Sequence, residues 1–201
     1  MITELILASG NKGKIAEFQH LLEELNIQVQ SMKEYPQIGE IVEDGTTFAE
    51  NALKKARTVC TATGKPALAD DSGLMVDYLD GAPGIYSARF AGEGHDDAAN
   101  NQKVLELMQG VPDKERGAQF FCAIAIVLPD GREFTAEGIC RGTLLHTLQG
   151  EGGFGYDPLF YVPQLGKTFA ELSMEEKNEI SHRGMANKKA VEIIRNIQKE
   201  A

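Results

Sequence analysis

Two aspartates stand side by side in Ala69-Asp70-Asp71-Ser72-Gly73-Leu74, directly after an apolar, strand-like run. Adjacent carboxylates repel unless a cation or backbone amides satisfy them, and hard oxygen ligands of this kind suit Mg²⁺. Neighbouring residues of a strand point to opposite faces, so one aspartate can face a ligand while the other orients it. The alternative is a turn in which the side chains bond their own backbone. Glu43-Asp44 offers a second pair of carboxylates just ahead of a helical stretch, with Lys55 further along it. Such a pair can simply complement the helix dipole. Read as chemistry, Glu43 is a metal ligand and Lys55 a phosphate contact.

Three further segments have the composition of ligand contacts. Ser9-Gly10-Asn11-Lys12-Gly13-Lys14 lies between an apolar run and an amphipathic stretch. Amides at a helix start and glycines that admit close approach make a seat for phosphate, and the two lysines add charge. An ordinary helix start with solvated lysines is the competing reading. No GxxxxGK[ST] loop is present, so this is not a Walker A sequence. Phe154-Gly155-Tyr156-Asp157, preceded by two glycines, sets aromatic rings in a flexible loop that can lie against a flat base; a turn with buried aromatics is the plainer account. Lys177 and Ser181-His182-Arg183 complete the set. His182 and Arg183 are donors suited to the O6 and N7 acceptors of a 6-keto purine, although a helix cap with solvated side chains has the same sequence. No serine sits in a G-x-S-x-G context, so Ser72 is read as a hydrogen-bonding group rather than a nucleophile.

The elements that must position these residues alternate along the chain. Residues 3–8 read as a strand, 12–25 as a helix with Ile15, Phe18, Leu21, Leu22 and Leu25 on one face, and Val29–Met32 as a weak strand. Thr47-Phe48-Ala49-Glu50 matches a capping box opening a long helix that Gly64 and Pro66 end. Ala67–Asp70 and Leu74–Val76 read as two strands with Asp71-Ser72-Gly73 between them. A Gly/Pro-rich loop leads to a helix capped near Asp96 and ending at Gly110. Residues 118–128 and 132–141 read as a hairpin turned by Pro129-Asp130-Gly131. A second capping box, Ser173 to Glu176, and a terminal helix over 185–198 follow. Early alternation of strand and helix, then long antiparallel strands, predicts an α/β fold with a long mixed sheet flanked by helices. One domain of two lobes over residues 1–201, with a ligand cleft between the lobes, is expected.

Charge and cysteine content limit the partners. The 201 residues carry 20 Lys+Arg against 30 Asp+Glu, a net charge of −10, which repels nucleic-acid polymers and anionic lipid. A phosphorylated small molecule therefore needs a local cluster of cations, amides or a metal. No apolar run is long enough to span a bilayer. Cys60, Cys122 and Cys140 are few, odd in number and without a CxxC pair, so neither a disulfide framework nor a zinc site is expected, and the chain reads as cytoplasmic.

Taken in order, SGNKGK, EDGTTFAENALKKA, ADDSGL, PGIYSAR, GFGYDP and SHR resemble the inosine triphosphate pyrophosphatase family, its bacterial dITP/XTP pyrophosphatase branch in particular, from about Leu7 to the last helix. The resemblance implies a two-lobed α/β homodimer with a Mg²⁺-dependent site in the cleft. It implies hydrolysis of ITP, dITP and XTP between the α- and β-phosphates. By the same resemblance Ser9, Gly10, Asn11, Lys12, Gly13 and Lys14 hold the triphosphate, and Glu43 and Asp71 bind Mg²⁺. Asp71 also accepts the proton, Ser72 contacts substrate, and Phe154, Gly155, Tyr156, Asp157, Lys177, His182 and Arg183 hold the nucleoside. The rival readings are a Maf-type nucleotide pyrophosphatase and a nucleotide-sensing module without turnover.

Overall fold

The first apolar run forms a short strand, β1 (Glu4–Leu7), flanked by β2 (Gln28–Ser31), in which only alternate residues are buried, and by β3 (Ala67–Val76), whose first four residues are all buried. A computed structural model describes residues 1–200. β1 pairs in parallel with both neighbours, Leu5 opposite Val29 and Ile6 opposite Ala67. Parallel partners need crossover connections, and two helices supply them: α1 (Lys12–Leu21) and α2 (Phe48–Thr63). The remaining strands are β4 (Gly117–Val127), β5 (Glu133–Leu144), β6 (Phe160–Val162) and β7 (Lys167–Thr168), in sheet order β2-β1-β3-β4-β5-β6-β7. The last pairings, β5 with β6 and β6 with β7, are antiparallel, so the sheet is mixed. Three more helices are α3 (Asp97–Leu107), α4 (Met174–Ile180) and α5 (His182–Glu200).

The chain forms two compact units. One comprises residues 1–71, 123–137 and 186–201; the other comprises 72–122 and 138–185. In the first, both faces of β4 are buried from Ala123 to Val127, which explains why alternation fades there: apolar residues are wanted on every position of a covered strand. In the second, Phe120, Phe160 and Phe169 form an aromatic nucleus with ring centroids 4.7–5.4 Å apart. Beside it, the Arg116 guanidinium is almost wholly buried and is met by main-chain carbonyls alone, those of Leu144 (2.8 Å), Leu145 (2.8 Å), Met108 (2.9 Å) and Val111 (3.4 Å). That cage ties the end of β5 to the chain leaving α3.

Four local expectations are corrected. β3 runs unbroken through Asp71-Ser72-Gly73 instead of turning there. Gly73 serves close approach: a side chain on it would meet the Gly84 carbonyl at 2.6 Å and Ser87 Cβ at 2.9 Å, where the Ser87 hydroxyl accepts from the Leu74 amide. α1 ends at Leu21, and Glu23–Leu25 continue as a 3₁₀ turn closed by Asn26 in the left-handed region. The cap of α2 is not reciprocal. Thr47 accepts from the Glu50 amide, but the Glu50 carboxylate turns back to Thr46, taking both its amide and its hydroxyl at 2.7 Å. α5 begins at His182 rather than 185, because Ser181 Oγ accepts from the Gly184 amide at 3.0 Å and caps it. Among the described residues no helix is long and apolar enough to cross a membrane.

Candidate active site

In the first unit, the loop leaving β1 is organised by its own side chains. Asn11 is the N-cap of α1, accepting from the amides of Gly13 (2.8 Å) and Lys14 (3.2 Å). Its own amide donates to Ser9 Oγ, and the Ser9 carbonyl accepts from Ser31 Oγ at 2.9 Å. Gly10 lies over the stem of Lys33, where any side chain would collide with it. Lys12 is exposed. Lys14 reaches back to the sheet and donates to both oxygens of the buried Asp70, at 2.8 and 2.7 Å.

Asp71, the next residue, belongs to a different network. Its Oδ2 accepts from Asn51 Nδ2 at 3.0 Å. Asn51 is buried on α2, and its Oδ1 accepts from the Gly45 amide at 2.8 Å, so one side chain ties Asp71 to the loop that carries Glu43. Glu43 pairs with Lys55 at 3.0 Å. Burial pushes the Asp71 carboxyl up to about 6, with Glu43 and Asp70 adding to the rise and Lys55 and Asn51 opposing it. Three carboxylates and two lysines thus share one neighbourhood. A carboxyl near 6 is a far better base at neutral pH than a free aspartate, the property general-base chemistry needs.

The second unit holds the other group. Phe154 is 62% exposed, unusual for so large an apolar ring. Lys177 Nζ lies 4.7 Å and Arg183 Cζ 5.6 Å from its centroid, within cation–π range. Arg183 also donates to Ser72 Oγ at 3.2 Å. His182 is buried and stacks on Phe120 at 4.8 Å, which orients its imidazole through the aromatic nucleus; this differs from a solvated cap. Asp157 is buried and takes the ammonium of Lys177 and the amide of Phe154 (2.9 Å), so its carboxylate shapes the loop. Tyr156 is core: it is 4% exposed and its hydroxyl donates to the Ser87 carbonyl at 2.7 Å.

Sequence reasoning missed Asn51, which looked like one more polar residue of a helix. The signal was its position, seven residues after Asp44 and on the face of α2 that also buries Ala52 and Ala56. It also missed Asp97 and Asn101 of α3, which bond the backbone of Gly155.

The mixed α/β sheet thus carries lysines and helix-start amides with three carboxylates in one unit, groups suited to phosphate and a metal ion, and a cation-flanked aromatic ring in the other, a group suited to a flat base. The chain belongs to the Ham1 family, whose model matches residues 5–193. It is 60% identical to a dITP/XTP pyrophosphatase of Desulforamulus reducens over 191 residues, 95% of each chain. It is 47% identical to a dITP/XTP pyrophosphatase of Listeria monocytogenes, covering 99% of this chain and 100% of that one. Among solved structures, a HAM1 protein from Coxiella burnetii matches with a TM-score of 0.92 at 43% identity, covering 98% of this chain and 100% of that one. The Staphylococcus aureus Ham1 protein matches with a TM-score of 0.91 at 41% identity, covering 96% and 98%.

Proposed function

We propose that this protein hydrolyses deaminated purine nucleoside triphosphates (ITP, dITP and XTP) to the monophosphate and pyrophosphate, clearing them from the nucleotide pool. The observation that carries the reading is Asp71, a half-buried carboxylate whose affinity for a proton is raised, set beside Glu43 and Asp70 and within the field of Lys55. The names of the relatives above support the substrate class.

Water attacks the α-phosphorus, its proton passes to Asp71, and the bond from that phosphorus to the bridging oxygen breaks so that pyrophosphate leaves. Asn51 holds Asp71 in register for that transfer. Lys12, Lys14, Lys55 and the loop of Ser9, Gly10 and Asn11 take the triphosphate charge. Phosphoryl transfer asks chiefly for such positioning and charge neutralisation. Phe154 offers its face to the base, and His182 and Arg183 supply donors toward a 6-keto oxygen. An adenine amino group would leave those donors unpaired.

The donor set fits Mg²⁺. Glu43 raises the proton affinity of Asp71, so negative charge is concentrated there, and a pair of carboxylates with water filling the remaining positions is the usual protein contribution to that ion. Glu43 and Asp71 would hold it, and it would supply neutralisation of the phosphate oxygens and polarisation of water. The reading extends to a cytoplasmic homodimer. Three buried cysteines, far apart in sequence and without a CxxC pair, support the compartment, and light scattering checks the assembly.

The test is product analysis. Purified protein with ITP and Mg²⁺ is expected to release pyrophosphate and IMP. Intact ITP, or orthophosphate as the first product, would overturn the reading.

A further inference from the structure

Phe154 presents a paradox: its ring is mostly exposed, yet the backbone on both sides of it is fully engaged. The Phe154 amide donates to Asp157 Oδ2 at 2.9 Å, and the Phe154 carbonyl accepts from the Asp157 amide at 3.2 Å. The next residue, Gly155, has a left-handed backbone (φ 60°) and is gripped from α3. Its amide donates to Asp97 Oδ2 at 2.7 Å, and its carbonyl accepts from Asn101 Nδ2 at 2.7 Å. Asn101 is itself fixed, being 3% exposed with the same Nδ2 donating to the Asp97 carbonyl at 2.8 Å. An exposed loop ordinarily satisfies its backbone with water. Here a charged acceptor and a buried amide from the first two turns of a helix hold one glycine at both its amide and its carbonyl, fixing the peptide groups on either side of it.

Two aspartates thus act on the loop in different ways. Asp157 shares its carboxylate with Lys177 and so belongs to the group that faces the ring. Asp97 touches no residue of that group. It acts solely through the Gly155 peptide and, by its nearness, on the phenol of Tyr156, whose proton affinity burial and Asp97 both raise. Fixing the peptide after Phe154 fixes the direction of its Cα–Cβ bond, and with it the place from which the ring projects.

We infer that Asp97 and Asn101 are positioning residues for the base: through the Gly155 backbone they hold the Phe154 ring in the place where a purine stacks on it. This rests on the reading of Phe154 as the base platform. The contribution is independent of which purine is bound, because stacking uses the face of the ring while discrimination uses donors aimed at the edge of the base. Asp97 and Asn101 therefore control KM for every purine triphosphate alike, and leave the ratio between them to other residues.

The test compares Asp97→Ala, Asp97→Asn and Asn101→Leu with the wild-type enzyme. Asp97→Ala is expected to raise KM about ten-fold for both ITP and ATP with kcat within two-fold. Competitive inhibition by inorganic tripolyphosphate, which has no base, is expected to stay within two-fold. Asp97→Asn keeps an acceptor for the Gly155 amide and restores KM to within about two-fold. Hydrogen exchange of the Gly155 amide, which requires no turnover, is expected to accelerate at least ten-fold in Asp97→Ala. Asn101→Leu repeats the KM effect if Asp97→Ala folds poorly. An unchanged KM in both Asp97→Ala and Asn101→Leu overturns the inference. So does an equal weakening of tripolyphosphate, which marks general damage, or unaltered exchange at Gly155. Wild-type turnover of ITP is scored separately: its absence refutes the substrate reading, whereas the exchange result bears on the clamp alone.

Discussion

Lys14 and Asp70 form a two-pronged ion pair, the ammonium lying 2.8 and 2.7 Å from the two carboxylate oxygens, while the next carboxyl, Asp71, accepts from Asn51 at 3.0 Å. The pair divides the labour of Asp70-Asp71. Asp70 is 6% exposed and is held by the Lys14 ammonium as part of the scaffold. Asp71 accepts from the amide of Asn51 and lies in the field of Lys55, and burial raises its proton affinity.

Asp71→Asn is therefore expected to lower kcat on ITP by about 10²- to 10⁴-fold. The same substitution acts on stability in the opposite direction. The folded carboxyl titrates near 6 against an unfolded value of 3.8, so folding favours its protonated form. Its stabilising contribution is full below the unfolded value and is lost as pH rises through about 6. Urea unfolding of metal-free protein should show wild type losing on the order of 1–2 kcal/mol relative to Asp71→Asn between pH 4 and pH 8, after allowance for solvent screening.

Asn51→Ala removes the donor to Asp71 and the acceptor for the Gly45 amide together. A loss of about 0.5–1.5 kcal/mol in stability is expected from the lost hydrogen bond of the half-buried Gly45 amide. Activity is expected to fall roughly ten- to hundred-fold, as for residues that orient a ligand-bearing side chain. Asn51→Asp should recover little, because a second carboxylate cannot donate to Asp71. Unfolding curves and steady-state kinetics on ITP check both effects.

Lys177 and Phe154 adjoin but should fail differently. Lys177→Ala strands the buried Asp157 carboxylate, and breaking such a pair costs about 3–5 kcal/mol. Phe154→Ala removes an exposed ring, so stability should move by no more than about 0.5 kcal/mol while base stacking worth about 1–3 kcal/mol is lost. Thermal melts separate the first variant, and KM for ITP the second.

Arg183→Ala should narrow the preference for ITP over ATP more than it weakens the triphosphate grip. Its guanidinium bonds Ser72 Oγ and faces Phe154, in the unit that lacks the lysine-rich loop. The ratio of kcat/KM values on the two nucleotides is the readout, with a drop of at least ten-fold expected.

The three thiols should be silent toward alkylating reagents in the native state. All are buried, and burial pushes Cys140 up to about 11 and Cys60 upward as well. Thiolate is the reacting species, so at pH 8 labelling is expected only after unfolding, by mass spectrometry.

The sequence made the fold legible wherever a local pattern and the tertiary demand agreed. Ser181 is a cap by sequence and by geometry, and the hairpin of β4 and β5 follows from alternation plus Pro129-Asp130-Gly131. The pattern misled at Asp71-Ser72-Gly73. Residues of that type favour turns in isolation, but a lysine from α1 neutralises Asp70, and the turn at residues 84–89 packs against Gly73, so the strand continues. β6 and β7 are three and two residues long and left no period to read. In the site, residues distinguished by chemistry were readable: charged side chains in apolar surroundings and glycines beside aromatics. Asn51, Asp97 and Asn101 were not, since an amide or carboxylate on a helix has the same sequence signature whether it meets water or a distant peptide. Tyr156 shows the converse, an aromatic beside glycines that is consumed by the core.

The cage around Arg116 bears on how this corner of the protein opens. Guanidinium stays charged at any pH at which proteins fold, so its desolvation must be met by all its carbonyl partners at once. Releasing only the segment at 144–145 would strip Nε and Nη2 of their acceptors, and releasing only the chain after α3 would strip Nη1 of its own. Excursions that free one segment while the other stays shut are therefore suppressed. The two come apart together, as a single cooperative unit of exchange.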